Sequence, residues 1–173
     1  AGIYRETVLI DGKRLHLRSV DGPEATVVDA QGAGRALTLV NAGGGPCTIE
    51  GFTFTGGAAN TGAGLLIDGS GPLVRDGTGG GKTATQSGGG VLLSVTFTTV
   101  RLERCVIAGN DGGSFSGGID TFYAFDVELD GCTITDNTAA NGAAGMAASA
   151  FSEVALRDTI VWGNHGPQPF FVQ

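Results

Sequence analysis

Three acids, Asp126, Glu128 and Asp130, stand two residues apart and enclose the apolar Val127 and Leu129. In an extended strand alternate side chains share a face, so the acids project together while Val127 and Leu129 turn toward a core. A shift of 27 residues sets Arg101 beside Glu128, Glu103 beside Asp130 and Glu153 beside Asp126. Two chemistries suit such a patch. Asp126, Glu128 and Glu153 are candidate ligands for calcium, which takes carboxylate oxygens. Alternatively, Asp126, Glu128 and Asp130 are candidate catalytic acids and bases astride a glycosidic bond, with Arg101 as the basic residue. The competing reading is structural. The column Arg75, Glu103, Asp130, Arg157 and its neighbour Asp76, Arg104, Gly131, Asp158 mix both signs, as exposed cross-strand pairs do, each worth a few tenths of a kcal/mol.

What must hold these residues side by side is a repeat. Val100, Val127 and Val154 recur 27 residues apart, followed by Leu102, Leu129 and Leu156, then Cys105, Cys132 and Thr159, then Ile107, Ile134 and Val161, and finally Asn110, Asn137 and Asn164. Gly64-Leu65, Gly90-Val91, Gly118-Ile119 and Gly145-Met146 open successive units. Short alternating bursts such as Val8-Leu9-Ile10 and Leu15-His16-Leu17 are separated by Asp-Gly turns, with no helical period. A unit this small cannot bury its apolar side alone, so the units must stack as coils with strands in parallel register. The expected fold is all-β, a right-handed single-stranded parallel β-helix of about six or seven coils of roughly 27 residues, and about 30 Å long at the sheet spacing. We read residues 1–173 as a single domain, with irregular first coils at 1–35, regular coils at 36–164 and a C-terminal cap or tail at 165–173. In the cap, Pro167 and Pro169 would refuse further pairing while Phe170 and Phe171 cover the last core layer.

Stacking predicts columns of like residues. Asn110, Asn137 and Asn164 form an amide ladder in which each side chain bonds the next. Cys105 and Cys132 share a column at a spacing that a disulfide or a ladder of buried thiols would both satisfy. One coil departs from the pattern. Aligning Val74 with Leu102 puts Gly77 at the Cys105 position, Gly79 at the Ile107 position and Lys82 at the Asn110 position. Residues 77–81 therefore read as a loop or a locally thinned wall.

The motifs Gly89-Gly90-Val91 and Gly117-Gly118-Ile119, with Ile107-Ala108-Gly109-Asn110 and Ile134-Thr135-Asp136-Asn137, make most of the chain resemble right-handed parallel β-helix proteins. They are most similar to the repeats of polymorphic outer-membrane proteins, with pectate lyases in the wider group. The resemblance implies a bacterial, extracellular or cell-surface setting. It also implies that any enzymatic activity would be that of a polysaccharide lyase or glycoside hydrolase.

The composition narrows the partners. The chain has 173 residues, 32 of them glycine, and a formal charge of −7 with no Lys/Arg cluster, which argues against nucleic acid. No apolar run is long enough for a membrane-spanning helix. Residues 76–83 imitate a phosphate-binding loop, but Asp76 stands where its first glycine belongs and no helical segment follows Thr83. His16 and His165 have no ligand-spaced partner in sequence, and the Thr53/Thr55, Thr96/Thr98 and Thr133/Thr135 pairs do not persist in one column. Phe115, Phe122, Tyr123 and Phe125 cluster in a Gly/Ser-rich stretch; some of them must face solvent, where they either cover a turn or meet a sugar or protein. The expected function is a non-catalytic structural or adhesive segment of a larger surface protein, without a cofactor unless calcium. The alternatives are a carbohydrate-active module using the acidic patch and a unit that stacks end to end. A polysaccharide or a surface protein is the expected partner.

Overall fold

The computed structural model describes residues 1–43, 47–149 and 151–172. They form a parallel β-solenoid of about six turns, with no helix among them. Three lateral sheets run its length. The first contains seven strands, from Val8–Asp11 through Leu37–Gly43, Leu65–Ser70, Val91–Thr96, Ile119–Ala124 and Ala143–Ser149 to Gln168–Val172. The second contains six, from His16–Arg18 through Thr48–Glu50, Leu73–Arg75, Val100–Glu103 and Val127–Asp130 to Val154–Arg157. The third contains seven, from Gly2–Tyr4 through Thr26–Asp29, Thr53–Thr55, Thr78–Gly80, Val106–Ala108 and Thr133–Thr135 to Ile160–Trp162. Each turn of the chain visits the three sheets in this order, and every pairing is parallel.

The expected register holds strand by strand: Val100 pairs with Val127 and Val127 with Val154, while Leu102 pairs with Leu129. Alternate residues turn inward because the sheet period is two, giving stacked columns such as Leu37, Leu65, Val91, Ile119 and Met146. These side chains, with Ile49, Val74, Leu102 and Leu129, form one continuous buried core. Residues 1–35, expected to be irregular, supply strands to all three sheets. At the other end Gln168–Val172 pairs in parallel with Ala143–Ser149 and is the last strand of its sheet. Phe170 packs against the core as expected, whereas the side chain of Phe171 lies outside the described residues.

The corner between the second and third sheets needs a left-handed residue in each turn. Gly51, Asp76, Arg104, Gly131 and Asp158 all take positive φ there, from 47° to 76°. Glycine adopts that conformation without steric cost, but Asp76, Arg104 and Asp158 carry strain that the stacked turns impose.

Cys105 and Cys132 are free and buried, and Cys47 is buried too. Each thiol of the first two donates toward backbone carbonyls, Cys105 to Val74 and Cys132 to Leu102, which is the buried thiol ladder rather than the disulfide. The shared hydrogen bond with Cys132, together with burial, holds the Cys105 thiol well above its ordinary range.

Residues 77–81 are not a loop. Thr78–Gly80 is a strand paired with Thr53–Thr55 on one side and Val106–Ala108 on the other. The wall is nonetheless thinned, because Gly79 pairs with Ile107 and offers no side chain to the core. Lys82 compensates: it is only 3% exposed, and its Nζ lies 2.5 Å from where a Gly79 Cβ would sit.

Candidate functional site

The Val127–Asp130 strand places Glu128 in register with Arg101 on one neighbour and Ala155 on the other. Arg101 Nε forms an ion pair with Glu128 Oε2 at 2.6 Å, and Thr99 Oγ1 donates to Asp126 at 2.5 Å. Asp130 pairs in register with Glu103 and Arg157. The sequence thus placed the acidic patch correctly, and the structure shows what occupies it. The Glu128 carboxylate is held by a guanidinium. Asp126 and Glu153 share a column, since Val127 N–H donates to the Glu153 carbonyl. Among the described residues no group of three or more His, Cys, Asp or Glu side chains is arranged to hold a metal ion.

The same pattern extends along the sheet. Arg75 Nη2 donates to Glu50 at 2.9 Å, and Arg104 clasps Asp76 with two bonds of 2.7 and 2.9 Å, the bidentate geometry that guanidinium favours. Arg75 and then His16 hold the Glu50 carboxyl below the usual carboxylate range, and Arg104 does the same for Asp76. His16, which has no partner in the local sequence, finds Glu50 one coil away at 3.0 Å. These are opposite charges stacked on neighbouring coils, as cross-strand pairing predicts.

Arg101 also borders a groove of about 380 Å³ with Thr99, Leu73 and Thr48. Its guanidinium is paired with Glu128, so the groove is bordered by an ion pair. The acids and Arg101 form a charged, hydrogen-bonding surface.

Aromatic side chains dominate the corner between the first and second sheets. Phe97 and Phe125 occupy one column, one step beyond the Thr96 and Ala124 pair, and stack at 5.6 Å between ring centroids. Phe122 meets Tyr123 edge-on at 4.6 Å, and Tyr123 lies 6.0 Å from Phe151. All five are exposed, Phe97 by 74% and Phe151 by 77%. Tyr123 is carried outward by its own positive φ of 52°. Phe115, Phe122, Tyr123 and Phe125, of which the sequence required only some to face solvent, all do so. Phe97 and Phe151 were not anticipated. Phe97 was legible from its place in the column of Phe125; Phe151 was not, because no repeat partner marks it. Five rings over three successive coils make an apolar row on a surface otherwise of charged pairs.

A second cleft, of about 350 Å³, opens beside the first sheet and was not foreseen either. Asp120 lies in it with Ser87, whose hydroxyl donates to the carboxylate in a short bond. Phe115, Asn141, Ser149 and Gln168 line the same cleft. Burial pushes the Asp120 carboxyl up. The lining contains one carboxyl, so the paired acids of a glycosidase are missing, but its hydroxyl and amide groups suit the hydroxyls of a polyol.

The imitation phosphate loop is resolved by the position of Lys82, which points into the core and is followed by the strand Thr83–Ser87 rather than a helix. Compared with known proteins, the chain matches no family model, no curated protein and no solved structure.

Proposed function

We propose that this chain is a non-catalytic structural and adhesive segment of an extracellular, bacterial surface protein. Its contact surface for polysaccharide is the row of Phe97, Phe122, Tyr123, Phe125 and Phe151. The observation that carries this reading is the row itself. The rings contact one another but leave much of their faces open to solvent, and flat rings suit the apolar faces of sugars. The adjacent Thr99, Asp126 and Glu128 supply hydrogen-bonding groups of the kind that fix a sugar's orientation. The resemblance of the Gly-Gly-Val and Ile-x-x-Asn motifs to the repeats of polymorphic outer-membrane proteins supports the surface setting and a right-handed helix.

The acidic patch favours adhesion over hydrolysis or lyase chemistry, because its acid in best register, Glu128, is neutralised by the residue best placed to act as a base. Screening the protein against acidic and neutral polysaccharides tests the reading. Binding that falls at least tenfold in a Phe97→Ala/Phe125→Ala double variant with an unchanged far-ultraviolet spectrum supports it. Undiminished binding in that variant, or capture of protein ligands alone, overturns it.

A further inference from the structure

We propose that Lys82 and the cavity it faces form a covalent binding site for a small aliphatic aldehyde, held as an imine on Nζ. This site lies inside the solenoid, apart from the aromatic row. Lys82 is 3% exposed, and among the described residues its amine has neither a hydrogen-bond partner nor an ion pair. The cavity is about 40 Å³ and is lined by Phe54, Leu65, Val74, Leu102, Cys105 and Ile107. It exists because Gly77 and Gly79 supply no side chains where neighbouring coils have Cys105 and Ile107. The same absence thins the wall through which a small molecule would enter.

The chemistry follows from the lining. An anion would need several donors, and the lining offers one amine, the Thr78 residue and a thiol that stays protonated. A neutral carbonyl compound needs only a nucleophile. Burial without a compensating partner pulls the Lys82 amine down to about 7, so a large fraction is unprotonated at neutral pH. The amine lone pair attacks the aldehyde carbon to form a C–N bond. The two amine protons leave with the carbonyl oxygen as water, and a neutral C=N bond remains. No oxidant or reductant enters. Expelling water from an apolar cavity favours the product. At about 10 to 15 Å³ per water-sized group, the space holds about three such groups, which fits a two- or three-carbon aldehyde.

The chain has two lysines, and the other, Lys13, is exposed, so each molecule carries its own control. The intact protein is treated at pH 7 with propionaldehyde and cyanoborohydride, which reduces the imine to a stable amine, and peptide masses then locate the adduct. We expect Lys82 to be alkylated at least tenfold faster than Lys13. We also expect this preference to vanish in denaturant and with the bulkier pivaldehyde. An unmodified Lys82, a rate no greater than that of Lys13, a preference that persists in denaturant, or equal reaction with pivaldehyde would each overturn the proposal.

Discussion

Lys82 stands one coil from Asn110 in the amide column, and because it is not an asparagine the Oδ1 of Asn110 accepts no hydrogen bond among the described residues. On its other side Asn110 is fully engaged. Its backbone N–H and Nδ2 donate to Asn137 Oδ1 at 3.0 and 2.9 Å, and Asn137 repeats both bonds to Asn164. The ladder therefore starts at Asn110, where the side chain that would extend it serves as filler for the space above Gly79.

This relationship predicts a strong coupling between positions 79 and 82. Gly79→Ile alone drives a Cβ into Lys82 Nζ and should destabilise the fold. In a Lys82→Asn background the same isoleucine refills the wall as Ile107 does, while the new amide satisfies Asn110. A double-mutant cycle read by urea denaturation should give a favourable coupling of about 2 kcal/mol or more.

Lys82 also makes stability depend on pH in an unusual direction. Its amine sits at about 7 in the folded chain against an ordinary 10.5, so between these values the unfolded chain carries a proton that the folded chain lacks. Stability should therefore rise with pH across that window, by up to about 1.4 kcal/mol per pH unit. Lys82→Met should flatten the rise and add about 3 kcal/mol at pH 7. Thermal melts of both proteins at a series of pH values measure it.

Removing the middle amide should cost more than removing the last. Asn137→Ala strands the backbone N–H of Asn110, leaves its Nδ2 with the Gly79 carbonyl alone and frees the Ile107 carbonyl. We expect a loss of about 3 kcal/mol. Asn164→Ala, at a less buried position, should lose about half of that in the same denaturation assay.

Acid should loosen the second sheet. Glu50 and Asp76 both ionise more readily in the folded chain than in the unfolded one, held down by Arg75 and Arg104 respectively. Their contribution is present above the ordinary carboxylate value of about 4 and disappears as pH falls through the lowered ones. Glu50→Gln should therefore reduce the loss of stability below pH ~4, as followed by circular dichroism. Asp120, pushed the other way by burial, should gain stability as pH falls through its raised value toward about 4, above the range in which Glu50 and Asp76 lose theirs.

Much of this was legible in the sequence, for identifiable reasons. The 27-residue recurrence of valine, leucine, cysteine and asparagine fixes the stacking register, and the register places Arg101 against Glu128 and Lys82 in the amide column. Alignment could not show what a departing residue does. Gly77 and Gly79 read as a loop or a thinned wall because glycine weakens strands; the wall is thinned, but the flanking strands hold Thr78–Gly80 in place by pairing on both sides. The cleft at Asp120 and Ser87 was not legible because it combines strand residues of the first sheet, such as Asp120 and Ser149, with Phe115 and Asn141 from segments between strands, which the repeat does not constrain. His16 and Glu50 are 34 residues apart, in an early coil where no column had been traced.

The most direct test of the adhesive reading is polysaccharide binding measured with calcium and with a chelator, while following the ultraviolet absorbance of the unsaturated sugar that lyases release. Adhesion through the aromatic row predicts binding that survives the chelator and Glu128→Gln, falls in Phe97→Ala/Phe125→Ala, and is accompanied by flat absorbance. Binding that requires calcium, is lost in Glu128→Gln and brings rising absorbance would contradict it and make the acidic patch the active site of an enzyme.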